Sequence, residues 1–167
     1  TPLFKREYID DIKKKLRTKN YVETSAKCLG RNSDEFWYHP DDFEHFHWDN
    51  YKSLLTEKDL PQSAIDSIDT STTKVLKMIC NPREENFRKH GLVVGYVQSG
   101  KTANYTGLVA KAIDCGYKNI IILSGIHNNL RDQTQIRIES DLENYNLDSP
   151  EKNIQYLTSQ GDDDFDN

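Results

Sequence analysis

Gly95-Tyr96-Val97-Gln98-Ser99-Gly100-Lys101-Thr102 matches GxxxxGK[ST], the pattern of a phosphate-binding P-loop. Two glycines let the backbone turn tightly and approach a phosphate. The successive N–H groups from Gln98 to Thr102 then form an anion-binding nest at a helix N-terminus. Lys101 reaches the β- and γ-phosphates as a point charge, and the Thr102 hydroxyl ligates Mg²⁺. Gly95, Gln98, Ser99, Gly100, Lys101 and Thr102 are therefore the expected contacts for ATP, with Lys101 and Thr102 the catalytic pair. The bland alternative is a glycine turn holding a buried lysine salt bridge. A chance match in a chain of this length is on the order of 0.5% at average composition.

The elements around the motif are those it needs. Leu92-Val93-Val94 predicts a short strand before it, and residues 103–113 predict a helix after it. Asn119–Leu123 predicts a second buried strand, Leu130–Leu142 a further helix, and Asn153–Thr158 a third strand. This alternation predicts an α/β fold: a P-loop (RecA-like) parallel sheet with flanking helices, incomplete at two or three strands. The expected division is a mainly helical region over 1–85 and the first part of a nucleotide-hydrolase domain over 86–167. In the first region, 3–17 has helical spacing, and His39-Pro40-Asp41-Asp42 reads as a helix start. An apolar face runs from Phe43 to Leu55. A further helix is expected between Leu60-Pro61 and the stop signal Asn81-Pro82.

The stretch GLVVGYVQSGKTANYTGLVAKAIDCGYKNIIILSGIHNNLRDQTQIRI resembles the head of the Z-one domain family. These are bacterial proteins, described as endonucleases, with a superfamily II helicase-like ATPase core. The likeness is dense from Gly91 to Leu142 and looser upstream. It implies a DNA-directed ATPase in a bacterial defence or restriction-like system. It further implies that Ser124, His127, Asn128, Asn129, Arg131 and Gln133 touch the phosphodiester backbone of a tracked strand. Serine, amide and guanidinium donors at a helix start suit phosphate without sequence preference. The alternative is that Asn128 and Asn129 cap the helix while Arg131 pairs with Asp132 or Glu139.

Weaker features carry less. His39, His45 and His47 with Asp41, Asp42, Glu44 and Asp49 offer metal donors, but a packing helix with exposed acids accounts for them better. Asp162–Asp166 lacks the apolar strand that a Walker B acid requires. Cys115 reads as a small buried residue, not a nucleophile. Hydrolysis needs an acid to hold Mg²⁺ and orient water, and none is identifiable. The 167 residues are thus expected to be an inactive N-terminal piece of a larger hydrolase. Phe87 and Arg88 are the only guesses at base contacts.

Composition sets the outer bounds. The apolar share is 35%, the net charge is −5, and mean hydropathy is −0.81. No apolar run approaches membrane-spanning length, and TPLFKREYIDDIKKKL has no secretory core. Cys28, Cys80 and Cys115 form no CxxC pair, so a reduced, cytoplasmic protein without a membrane partner is expected. Charge is blocked: residues 73–139 carry +5 and the flanking blocks 32–72 and 140–167 carry −8 and −7. The basic excess sits on the motif, which leaves room for a nucleic-acid partner. Two other classes compete. One is a nucleotide switch or phosphotransferase that never meets nucleic acid. The other is an interaction module built on Trp37, Phe43, Phe46 and Trp48.

Overall fold

A computed structural model describes residues 36–85, 88–93, 100–124, 127–142 and 154–158. The apolar spacing before Leu55 folds as α1, Phe46–Glu57. The expected start at Pro40 gives only a 3-10 turn, Pro40–Asp42. Phe43 then turns extended, at φ −129 and ψ 147. Its ring stacks on Tyr38 at 5.5 Å and meets Trp37 edge-on at 6.1 Å. Packing of that ring overrides the local start signal.

Helix α2, Gln62–Met78, begins directly after Pro61. The Pro61 carbonyl accepts from the N–H groups of Ala64 and Ile65 at 2.9 and 3.2 Å. The helix stops before Asn81-Pro82, where Asn81 Oδ1 accepts from the Arg83 N–H at 3.1 Å. Helix α3 is Lys101–Asp114 and α4 is Asn128–Leu142.

Helix α3 is the shared element: it packs on α1 and α2, and α4 leans on α1 and α3. One core joins Trp48, Tyr51, Leu55, Ile65, Ile68, Ala110, Ile138 and Leu142. Gly107 makes the close approach possible. A Cβ there would stand 3.0 Å from Trp48 Cζ3 and 3.1 Å from Ile68 Cγ2. A second cluster joins Tyr38, Leu76, Ala112 and Cys115. Trp37 Nε1 ties its edge to α2 by donating to the Ile79 carbonyl at 2.8 Å. Trp48 is buried in the first core, Trp37 and Phe43 pack against the second cluster, and Phe46 is half-buried.

The expected α/β parallel sheet is overturned: the regular structure among the described residues is helical, and they contain no strand. Leu92 and Val93 are exposed, as are Ile121 and Leu123 at 85% and 92%. Residues 154–158 are held by side chains instead of a ladder. Ile154 and Tyr156 pack on the first core. Thr158 accepts from Gln135 Nε2 through its carbonyl and donates to Gln135 Oε1 through its hydroxyl. A strand exists only with a hydrogen-bonded neighbour, and β-branched composition cannot supply one. Here the apolar face of α3 is covered by helices. The readings placed on residues 3–17, Cys28, Phe87, Val94, Asn153 and Asp162–Asp166 lie outside the described residues.

Candidate nucleotide site

The second half of the motif has a defined geometry. Gly100 is the N-cap of α3 and sits in the left-handed region, at φ 70 and ψ 24. That conformation strains any residue with a Cβ, so the glycine at this position is a backbone requirement. Lys101 opens the helix and is exposed, and Thr102 follows, half-buried. The first intrahelical bond runs from the Asn104 N–H to the Gly100 carbonyl at 3.1 Å. The N–H groups of Lys101, Thr102 and Ala103 precede that first bond, so they point out of the helix start with its dipole behind them. Gly95, Gln98 and Ser99 lie outside the described residues.

The start of α3 is clamped by the helices beneath it. Asn104 Nδ2 donates to Ser71 Oγ of α2 at 2.6 Å, and that hydroxyl donates to the Ile68 carbonyl at 3.0 Å. The buried Tyr51 of α1 donates its hydroxyl to the Ala103 carbonyl at 3.3 Å. Sequence reasoning missed both contacts. No local pattern in the sequence signals either contact, since Asn104 stands among the polar residues Lys101, Thr102, Tyr105 and Thr106.

The other end of α3 is equally anchored. Asp114 Oδ1 accepts from the His47 N–H at 2.9 Å and from His47 Nδ1 at 2.8 Å, while Oδ2 accepts from the Trp48 N–H at 2.9 Å. These amides occupy the second and third positions of α1, so Asp114 supplies the N-terminal cap that His45 does not. His47 is thereby a structural residue. His45 Nε2 donates to the Pro40 carbonyl at 2.8 Å, and His39 is exposed. Among the described residues no group of His, Cys, Asp and Glu is arranged to hold a metal. The Cys115 thiol is buried and pushed up to about 12, first by burial and then by the Asp114 charge. It is inert as a nucleophile at neutral pH.

The second motif is largely exposed. Ser124 is half-buried, His127, Asn128, Asn129 and Gln133 are exposed, and Gly125 and Ile126 lie outside the described residues. The His127 carbonyl accepts from Leu130 and Arg131, so Asn128 and Asn129 are the first helical residues rather than its cap. Arg131 Nη2 lies 3.2 Å from Asp132 Oδ1, the pairing expected of an ordinary helix surface. Among the described residues no helix is long and apolar enough to cross a membrane. Comparison with family models, with curated proteins and with solved structures finds no match to this chain.

Proposed function

We propose that the turn entering α3 binds the phosphates of Mg-ATP. The observation that supports this is the coincidence of a GxxxxGKT sequence with a left-handed Gly100 that opens a helix at Lys101. A positive helix start and an exposed lysine suit a polyphosphate, which carries several negative charges. Lys101 would hold the β- and γ-phosphates. The residues present fit a magnesium ion held jointly with the nucleotide: Thr102 brings a hydroxyl to the first turn, and no dedicated cage is needed when phosphate oxygens complete the shell. The ion would neutralise phosphate charge. The wider reading, a DNA-directed ATPase, rests on the likeness of residues 91–142 and is part of the proposal.

Calorimetric titration with Mg-ATP tests the reading. Lys101→Ala removes a charge-assisted contact of roughly 1.5–3 kcal/mol, a weakening of about tenfold or more. Equal affinity of wild type and variant would overturn it.

A further inference from the structure

We infer that Asn104 is a positioning residue of the nucleotide site, coupling the grip on phosphate to the packing of α2. The inference rests on the phosphate-binding reading of Gly100–Thr102. Asn104 acts at two points at once. Its backbone N–H closes the first helical bond on the Gly100 carbonyl at 3.1 Å, and its side chain reaches Ser71 at 2.6 Å. The Ser71 hydroxyl accepts that bond and donates its own O–H to the Ile68 carbonyl at 3.0 Å, so the polarity of the chain is fixed throughout. Ile68 belongs to the first core. A continuous path therefore runs from the buried face of α2 to the carbonyl of the left-handed glycine.

The geometry matters because an anion nest binds by direction. The N–H groups that open α3 must converge on one point, and a rotation of the first turn about the helix axis disperses them. Residues 101–104 lack the full set of intrahelical bonds, so contacts with other helices must set the rotation of this turn. Asn104–Ser71 fixes that rotation from one side, and Tyr51–Ala103 from the other. Neither Asn104 nor Ser71 needs to touch nucleotide, and a shift of α2 would be felt as a change in phosphate affinity.

The experiment is calorimetric titration with Mg-ATP on wild type, Asn104→Ala, Ser71→Ala, Ser71→Thr, Thr73→Ala and Lys101→Ala, with thermal unfolding of each. Asn104→Ala and Ser71→Ala are expected to weaken binding about tenfold, as loss of a supporting shell does at other sites. Ser71→Thr keeps a hydroxyl and is expected to bind as wild type. Thr73→Ala removes a hydrogen bond from the same helix pair, the one accepted from Lys111 at 2.8 Å. It is expected to lower the unfolding midpoint and leave the affinity unchanged. Wild-type affinity in Asn104→Ala, with Lys101→Ala weakened, overturns the positioning role alone. Equal weakening in Thr73→Ala also overturns it, since affinity would then follow general stability. Wild-type affinity in Lys101→Ala removes the nucleotide reading on which it rests.

Discussion

Lys111 shows how a buried charge is satisfied one donor at a time. Its side chain is 2% exposed, and it has three N–H groups to place. It donates to Asp69 Oδ1, to the Asp69 carbonyl at 2.9 Å and to Thr73 Oγ1 at 2.8 Å. The ammonium also stands 4.4 Å from the centre of the Trp48 ring. Burial lowers its pKa, and the Asp69 hydrogen bond and charge oppose that shift. The partner differs, because the Asp69 side chain is 46% exposed. Removing one member is therefore not equivalent to removing the other. Lys111→Met inserts an apolar chain of similar length and leaves Asp69 to water, so stability is expected to change by less than about 1 kcal/mol. Asp69→Ala strands the buried ammonium. A fully buried pair would cost about 3–5 kcal/mol, and solvent screening of the half-exposed carboxylate reduces the expected loss to about 2 kcal/mol. Urea unfolding of both variants checks this asymmetry, and equal losses would refute it.

At the scale of the element, two helices end in the same turn with different residues at its critical position. After α1, the Leu60 N–H bonds the Leu55 carbonyl and the Asp59 N–H bonds the Thr56 carbonyl, both at 3.0 Å. After α3, Tyr117 and Gly116 bond Ala112 and Ile113 in the same pattern at 3.1 and 2.8 Å. Both are Schellman turns, and each places one residue at positive φ: Asp59 at 58 and Gly116 at 93. Gly116 meets that demand without a Cβ, while Asp59 carries a modest strain. Asp59→Gly is expected to raise stability by about 0.5 kcal/mol after the added freedom of the unfolded chain is counted. Gly116→Ala is expected to lower it by about 1–2 kcal/mol. Thermal midpoints of the two variants should move in opposite directions; a fall for Asp59→Gly would show that its side chain contributes more than the strain removes.

The whole molecule carries a pH response in its second cluster. Burial there pushes the Tyr117 hydroxyl up to about 12, and it raises Tyr38 as well. The Cys115 thiol stands at about 12 against an ordinary value of 9.0. Each of these groups keeps a proton in the folded state that the unfolded chain has released. Their contribution is complete below pH 9 and is lost as pH rises through the folded values. Lys111 works in the opposite sense, since its lowered pKa makes stability rise with pH up to its ordinary value of 10.5. Above that pH its opposition ends, and stability is expected to fall most steeply between pH 10.5 and 12. Each linked proton contributes a slope of about 1.4 kcal/mol per pH unit. Urea midpoints from pH 8 to 12, followed with tyrosine absorbance, test this. Tyr38 and Tyr117 should ionise together with unfolding, Cys115→Ala should flatten the decline, and a constant midpoint to pH 12 would contradict it.

The helices were legible because their signals are local. Proline before Gln62, the stop at Asn81-Pro82 and the apolar spacing of α1, α2 and α3 act over a few residues each. The GxxxxGKT pattern is legible for the same reason, and the left-handed Gly100 at its end shows why a glycine stands there. The features that escaped the sequence all join residues distant along the chain. Asp114 caps a helix 66 residues before it, Lys111 finds its carboxylate 42 residues away, and Asn104 reaches Ser71 across 33. The expected sheet failed on the same ground. Leu92-Val93 and Asn119–Leu123 have strand composition, but a strand needs a partner at hydrogen-bonding distance, and composition does not specify one. What α3 packs against was decided by side-chain fit between whole helices, with Gly107 admitting Trp48 and Ile68 to its backbone, and fit of that kind exists only once the chain has folded.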